Sequence, residues 1–243
     1  MSTSYLFVNV VKSTQLFFPD LLSRKPRAPH IPNKQKRATG PVTVGKIISG
    51  LQPLPAQSML LGQCPDGLPF LMQLKDPQVG AILISSDPGG GKTHQLQVMV
   101  HSALMANAPH ELQVSIMTHR PNEWDDLAKD VHKTKYLNKL QAWYQDSAEK
   151  LIKDMTHLAE ARREGREQGA DVLFILDDFN FVEELSYEAQ VNLHWLLAYG
   201  AESGVWVIAA IKSGYAKRFR YWIETFRTRI IGSVLSKENA EII

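Results

Sequence analysis

AILISSDPGGGKT, residues 81–93, joins a short apolar run to a glycine-rich turn and a Gly-Lys-Thr triplet. The run 81–85 has the length of a buried strand. Beyond the turn, Leu96, Met99, Val100, Ala103 and Leu104 fall at the steps of three and four that put them on one face of an amphipathic helix. A glycine-rich turn between a buried strand and a helix N-terminus has the context of a phosphate-binding loop. Glycines let the backbone curl so that successive N–H groups point inward, and the helix dipole adds about half a positive charge there. Asp87, Pro88, Gly89, Gly90, Gly91, Lys92, Thr93 and His94 are therefore the expected nucleotide-binding residues. Lys92 is placed to reach the β- and γ-phosphates and the Thr93 hydroxyl to ligate Mg²⁺, so the expected ligand is ATP with Mg²⁺. Ser86 stands where the pattern has its first glycine, and a positive φ there would cost about 1 kcal/mol. The competing reading is a glycine-rich turn that binds nothing.

Strand and helix alternate around this unit. Two apolar runs, 58–63 and 68–74, flank Cys64-Pro65-Asp66-Gly67, which has the residue types of a hairpin turn. Strands are predicted at 112–118, 172–176, 205–211 and 229–234, and helices at 187–199 and 216–227. Residues 136–168 read as one long helix, because Leu140, Tyr144, Ala148, Leu151, Met155 and Leu158 repeat at steps of three and four. The run VLFIL at 172–176 is wholly apolar, as expected of a parallel strand covered on both faces. The alternation, with the phosphate-binding loop, predicts an α/β fold of P-loop NTPase type: a mostly parallel sheet of five or more strands with helices on both faces.

Asp177 and Asp178 end the apolar strand, which places them at the C-terminal edge of the sheet beside the loop. Asp177 is the expected second metal residue, accepting from a water on Mg²⁺. Asp178 is the expected carboxylate that polarises the attacking water. Asp178 is one methylene shorter than the glutamate usual in related ATPases, which predicts a relayed water or slow hydrolysis. Two solvated carboxylates at a strand end are the plain alternative. The strand 112–118 lies in sequence between the loop and this carboxylate pair, as in P-loop ATPases that insert a strand between those two in the sheet. That arrangement favours a ring-forming motor over a small-molecule kinase.

Charge is distributed unevenly. The whole chain carries 27 Lys/Arg against 25 Asp/Glu. Residues 1–40 hold seven of the basic residues (Lys12, Arg24, Lys25, Arg27, Lys34, Lys36, Arg37) against Asp20 alone, which leaves the remainder mildly acidic. Residues 24–41 also contain four prolines and read as an extended linker. The expected division is an N-terminal extension with a basic linker, 1–41, and an ATPase domain, 42–243. The basic arm suits nucleic acid or an acidic partner, and equally a solvated tail. The segment 5–22 is apolar enough to dock as a strand or short helix. The single cysteine, Cys64, excludes an internal disulfide. No run reaches the roughly 18 uncharged apolar residues of a membrane span, and no signal peptide is read, so the expected compartment is the cytoplasm.

Several features beyond the loop resemble the FtsK/HerA superfamily of DNA-pumping ATPases, over about three quarters of the chain. The hairpin from Leu60-Leu61-Gly62 through Gly67-Leu68-Pro69 is similar to the one that precedes the loop in that family. So are the segment with Trp143, Met155, Arg162 and Arg163, the strand Gly204-Val205-Trp206-Val207-Ile208-Ala209-Ala210, and the distal Thr228-Arg229-Ile230 with Ser236-Lys237. The resemblance implies a RecA-like motor domain in a hexameric homo-oligomeric ring, with ATP sites between subunits and double-stranded DNA in the pore. It makes Arg229 the candidate arginine finger. A strand-start arginine paired with a local carboxylate is the alternative for that residue. The chain departs from the family at Ile211, which aligns with a polar sensor, and at Gly200–Ser203, which lacks the arginine before the next strand. Lys217-Arg218-Phe219-Arg220-Tyr221-Trp222 interleaves basic and aromatic residues, which suits phosphate contact, a subunit interface or helix packing.

Two functions follow. The leading one is an ATP-driven translocase of double-stranded DNA. The second is a nucleotide-binding structural or regulatory subunit with weak or no hydrolysis, motivated by Asp178 and Ile211. A small P-loop kinase or ligase is a third, with no recognisable lid or acceptor motif to support it.

Overall fold

A strand that is apolar at every position is stable only where both its faces are covered, and parallel strands need crossover connections that supply the cover. The computed structural model describes residues 9–10, 43–51, 57–64, 67–74 and 76–243. Its strands and helices are β1 (Asn9–Val10), α1 (Val44–Ser49), β2 (Ser58–Gln63), β3 (Pro69–Gln73), β4 (Ile82–Ser86), α2 (Lys92–Ala106), β5 (Leu112–Thr118) and α3 (Asp125–Lys129). They continue with β6 (Leu137–Ala142), α4 (Ala148–Arg163), β7 (Asp171–Asp177), α5 (Tyr187–Tyr199), β8 (Val205–Lys212), α6 (Arg220–Ile223), β9 (Thr228–Ile231) and α7 (Lys237–Ile242).

The main sheet has the order β1-β9-β4-β8-β7-β5-β6; β1 runs antiparallel to β9 and the other six strands are mutually parallel. β2 and β3 form the separate antiparallel hairpin, although Pro65 and Asp66 of its turn lie outside the described residues. Alternate residues of the central strands divide between two cores. Val172, Phe174 and Leu176 of β7 and Val205, Val207, Ala209 and Ile211 of β8 pack with α4 and α5. Leu173, Ile175, Trp206, Ile208 and Ala210 pack on the other face with α2 and the hairpin. All parallel strands therefore end on one edge of the sheet. The strand inserted between β4 and β7 is β8, while β5 lies on the far side of β7.

Three expectations are corrected. Residues 136–168 are not one helix: β6 occupies the first part and α4 begins only at Ala148. The free edge of β5 offers a row of backbone partners that helix propensity does not outweigh. Leu140 packs from this strand against the α2 side, and Tyr144, assigned to the buried stripe, is exposed. Residues 216–227 hold only the single turn α6, yet Ala216, Phe219, Ile223 and Phe226 are buried at helical spacing, with Phe219 and Phe226 packed edge-on against Phe179. β9 ends at Ile231, not at 234. From the segment 5–22, Asn9 and Val10 pair with Ile231 and Ile230; the basic linker 24–41 lies outside the described residues.

The covered sheet predicts where stability resides. Phe174→Ala, in the α4/α5 core, should lower the unfolding free energy by about 3–5 kcal/mol in urea. Tyr187→Ala, at a side chain that is 84% exposed, should change it by less than about 0.5 kcal/mol.

Candidate functional site

The edge where β4, β7 and β8 end is the floor of a cleft of about 730 Å³ whose walls include Gly89, Lys92, Thr93, Asp177, Asp178 and Lys212. That is a size suited to a small-molecule ligand. Its first wall is the glycine loop. Gly89 and Gly91 have φ of 78° and 79°, in the left-handed region where a Cβ would be strained. Gly90 is needed for a different reason: a Cβ there would sit 2.8 Å from the Cβ of Ser86. Ser86 itself is the last residue of β4 and is not among the residues of positive φ. The substitution of its glycine thus carries no backbone strain. Its hydroxyl fills the loop and accepts from Lys92 Nζ at 3.2 Å.

The Lys92 amine also donates to the carbonyl oxygens of Ser86 and Asp87, each at 3.0 Å. Burial lowers its pKa, repulsion from Lys212 lowers it further, and Asp178, Asp87 and Asp177 oppose both. Asp87 faces away from the cleft. Its carboxylate accepts from the Ser213 hydroxyl and from the Leu235 N–H at 2.8 Å, and these bonds hold it below the ordinary carboxylate range. Its own N–H donates to Ser233 at 2.9 Å. Asp87 therefore braces the loop from behind, and its amide points elsewhere than at a ligand.

The second wall is the end of β7. Asp177 is on the α2 face of the sheet, and Thr93 Oγ1 donates to its Oδ1 at 2.9 Å. Thr118 Oγ1 and Trp124 Nε1 each lie 3.3 Å from Oδ2 as donors. Burial dominates and raises the Asp177 carboxyl above its usual range, against the pull of these three donors. A threonine hydroxyl and one carboxylate converging beside a phosphate loop fit Mg²⁺. That ion is commonly held by one or two carboxylates and the substrate phosphates, not by an all-protein cage. Among the described residues no group of three His, Cys, Asp or Glu could form such a cage.

Asp178 adopts φ 82°, ψ 78°, an unusual conformation for a residue with a side chain. Its Oδ1 accepts from the Asn180 side-chain amide and from the Asn180 N–H at 3.4 Å, while its Oδ2 lies 3.5 Å from Lys212 Nζ. His94 and Pro88 also line the cleft. Arg229 does not join them: it sits beside Leu83 in the β9–β4 register, two residues before the end of β9, and donates to the Ile243 carbonyl at 2.8 Å.

Sequence reasoning missed four residues. Thr118 and Trp124 complete the shell around Asp177, and Asn180 orients Asp178. Lys212 is the fourth. Ile211, expected by resemblance at a sensor position, is fully buried in the α4/α5 core, whereas Lys212, one residue on, faces the cleft. The period of two along β8 carried the signal, since Ala210 and Lys212 must share the face opposite Ile211.

No family model matches the chain, and no curated protein does so. Among solved structures, the cytoplasmic domain of the Thermomonospora curvata type VII secretion ATPase EccC is similar at 18% identity and a TM-score of 0.63, over 79% of this chain and 24% of that one. EssC ATPases 2 and 3 from Geobacillus thermodenitrificans are similar at 17% identity and a TM-score of 0.59, over 79% of this chain and 42% of that one. ATPases 2 and 3 of Thermomonospora curvata EccC, in complex with a signal sequence peptide, are similar at 19% identity and a TM-score of 0.57, over 71% of this chain and 32% of that one. This chain spans less than half of each of these proteins. The likeness is one of fold, the RecA-like P-loop ATPase fold, in agreement with the sheet order and loop described above.

The raised Asp177 carboxyl predicts a pH effect in metal-free protein. The folded state holds this proton to a higher pH than the unfolded chain, whose aspartates titrate near about 3.9. Stability contributed by this group is therefore present below that value and lost as pH rises through the higher folded value. In urea unfolding between pH 4 and pH 7, wild type should lose stability relative to Asp177→Asn as pH increases.

Proposed function

We propose that the chain is an ATP-binding, ATP-hydrolysing motor domain that works in a homo-oligomeric ring, hexameric by resemblance, and moves a polymeric substrate. The observation that carries this reading is the 2.9 Å bond between Thr93 on the loop and Asp177 across the sheet. It joins a phosphate cradle to a metal-binding carboxylate with β8 between the two strands. Glycine-loop amides and Lys92 bind the phosphates. Thr93, and Asp177 through water, hold Mg²⁺, which neutralises phosphate charge when bound.

Asp178 is the carboxylate for the attacking water. The water oxygen bonds to the terminal phosphorus as the bridging P–O bond breaks, with the electron pair leaving on ADP. The water proton passes to the carboxylate or to the departing phosphate. Asn180 keeps that carboxylate oriented. Arg229 is proposed to act only across a subunit boundary, since it lies away from its own cleft.

Double-stranded DNA is the first candidate for the substrate, on the distal resemblance to DNA-pumping ATPases. A polypeptide is the second, supported by the secretion ATPase neighbours, one of which was solved with a signal sequence peptide. A nucleotide-binding subunit with little turnover is favoured by one observation, the pairing of Asp178 with Lys212.

Phosphate release measured with ATP, Mg²⁺ and either duplex DNA or a signal-type peptide separates these readings. Lys92→Ala should reduce turnover at least about 100-fold, as loss of a preorganised charge at the reacting phosphate does. A rate that survives Lys92→Ala would overturn the assignment. Asp178→Glu should raise turnover in a motor and leave a retained, unhydrolysed nucleotide unchanged in a scaffold. Stimulation by one polymer and not the other identifies the cargo.

A further inference from the structure

Lys212 is the last residue of β8 and lies beside Ser86 in the β4–β8 register, so it stands between the glycine loop and the end of β7. Its amine is 3.5 Å from Asp178 Oδ2 and 5.9 Å from the Tyr215 ring centre. It adds its charge to a cleft that Lys92 and Arg120 also line. The Lys212 and Asp178 side chains are 42% and 31% exposed, so their ion pair is screened by solvent and weak. A more highly charged anion can break it at small cost. A triphosphate carries about one more negative charge in total than the diphosphate, and it presents one further phosphoryl group with its acceptor oxygens.

The two oxygens of Asp178 are differently employed. Among the described residues, Oδ1 is held by Asn180 and Oδ2 by Lys212. If the amine moves to a phosphoryl oxygen, Oδ2 is released while Asn180 still fixes the carboxylate plane.

We propose that Lys212 reads the terminal phosphate: without ligand it covers Asp178 Oδ2, and with a triphosphate it exchanges that oxygen for the γ-phosphoryl group and uncovers the carboxylate. The cleft thereby distinguishes triphosphate from diphosphate within one subunit. This inference rests on the reading of the cleft as an ATP site, and it assigns to Lys212 the role that Ile211, buried in the core, has no polar atom to perform.

Calorimetric titration with Mg²⁺ and either ADP or the β,γ-imido analogue of ATP tests it without reference to turnover. Lys212→Gln should weaken the analogue about tenfold or more while changing ADP less than about threefold. Lys212→Arg should keep most of the preference. Equal weakening of both ligands by Lys212→Gln, or no change in either, would overturn the role assigned to Lys212 and leave the ATP site standing. Wild-type protein that binds neither nucleotide would overturn the ATP site and this inference with it.

Discussion

A parallel sheet covered on both faces constrains everything else in the molecule. Six parallel strands must all end on the same edge, and their apolar side chains are committed to the two cores above and below. Polar chemistry is left to the residues where strands stop. Ser86, Asp177 and Lys212 are the final residues of β4, β7 and β8, three strands adjacent in the order β4-β8-β7. Strand spacing of about 4.8 Å then puts a loop, a carboxylate and an ammonium within reach of one small ligand. This is the crevice at strand C-termini where open α/β sheets bind ligands.

Much of this arrangement was legible before any coordinates. β5 and α5 begin and end where periodicity placed them, and β4, β7 and β8 agree to within a residue at each end. These elements are wholly apolar or strongly periodic, and tertiary context reinforces the local signal. The failures lie where context opposes it. In LNKLQA, Asn138 and Lys139 are exposed on an edge strand, so neither two-residue alternation nor a continuous apolar run marks it. Leu140 and Tyr144 happen to continue the helical stripe of α4 backwards. The segment 216–227 keeps helical burial spacing around Phe179 but not helical backbone, because its aromatic residues are fixed by ring packing more than by propensity.

The site divides in the same way. Lys92, Thr93, Asp177 and Asp178 were readable because glycine spacing and a strand ending in acids are local signals. Trp124 and Thr118 reach Asp177 from other parts of the chain, 53 and 59 residues away, and no local pattern links them. Lys212 was hidden differently: an alignment centred on Ile211 looked one residue too early, and the strand pleat turned that isoleucine inward.

Charge balance in the cleft explains how the site stands preformed. In the cleft Lys92, Lys212, Asp177 and Asp178 each have a local partner, and so does Asp87 behind the loop. Asp87 is tied to Ser213 and Leu235, and Asp177 to Thr93, Thr118 and Trp124. Lys92 rests on oxygens of Ser86 and Asp87. These partners differ in how readily they yield. Asp87 is braced in part by a backbone N–H, and Asp177 is buried within a three-donor shell, so neither can change partner without moving the scaffold. Lys92 sits on neutral oxygens, which a phosphate can outbid by charge alone. The Lys212–Asp178 pair is longer, more exposed and made by a flexible four-carbon stem. The fixed members thus define where phosphate and metal belong, and the two lysines are the parts able to respond to them.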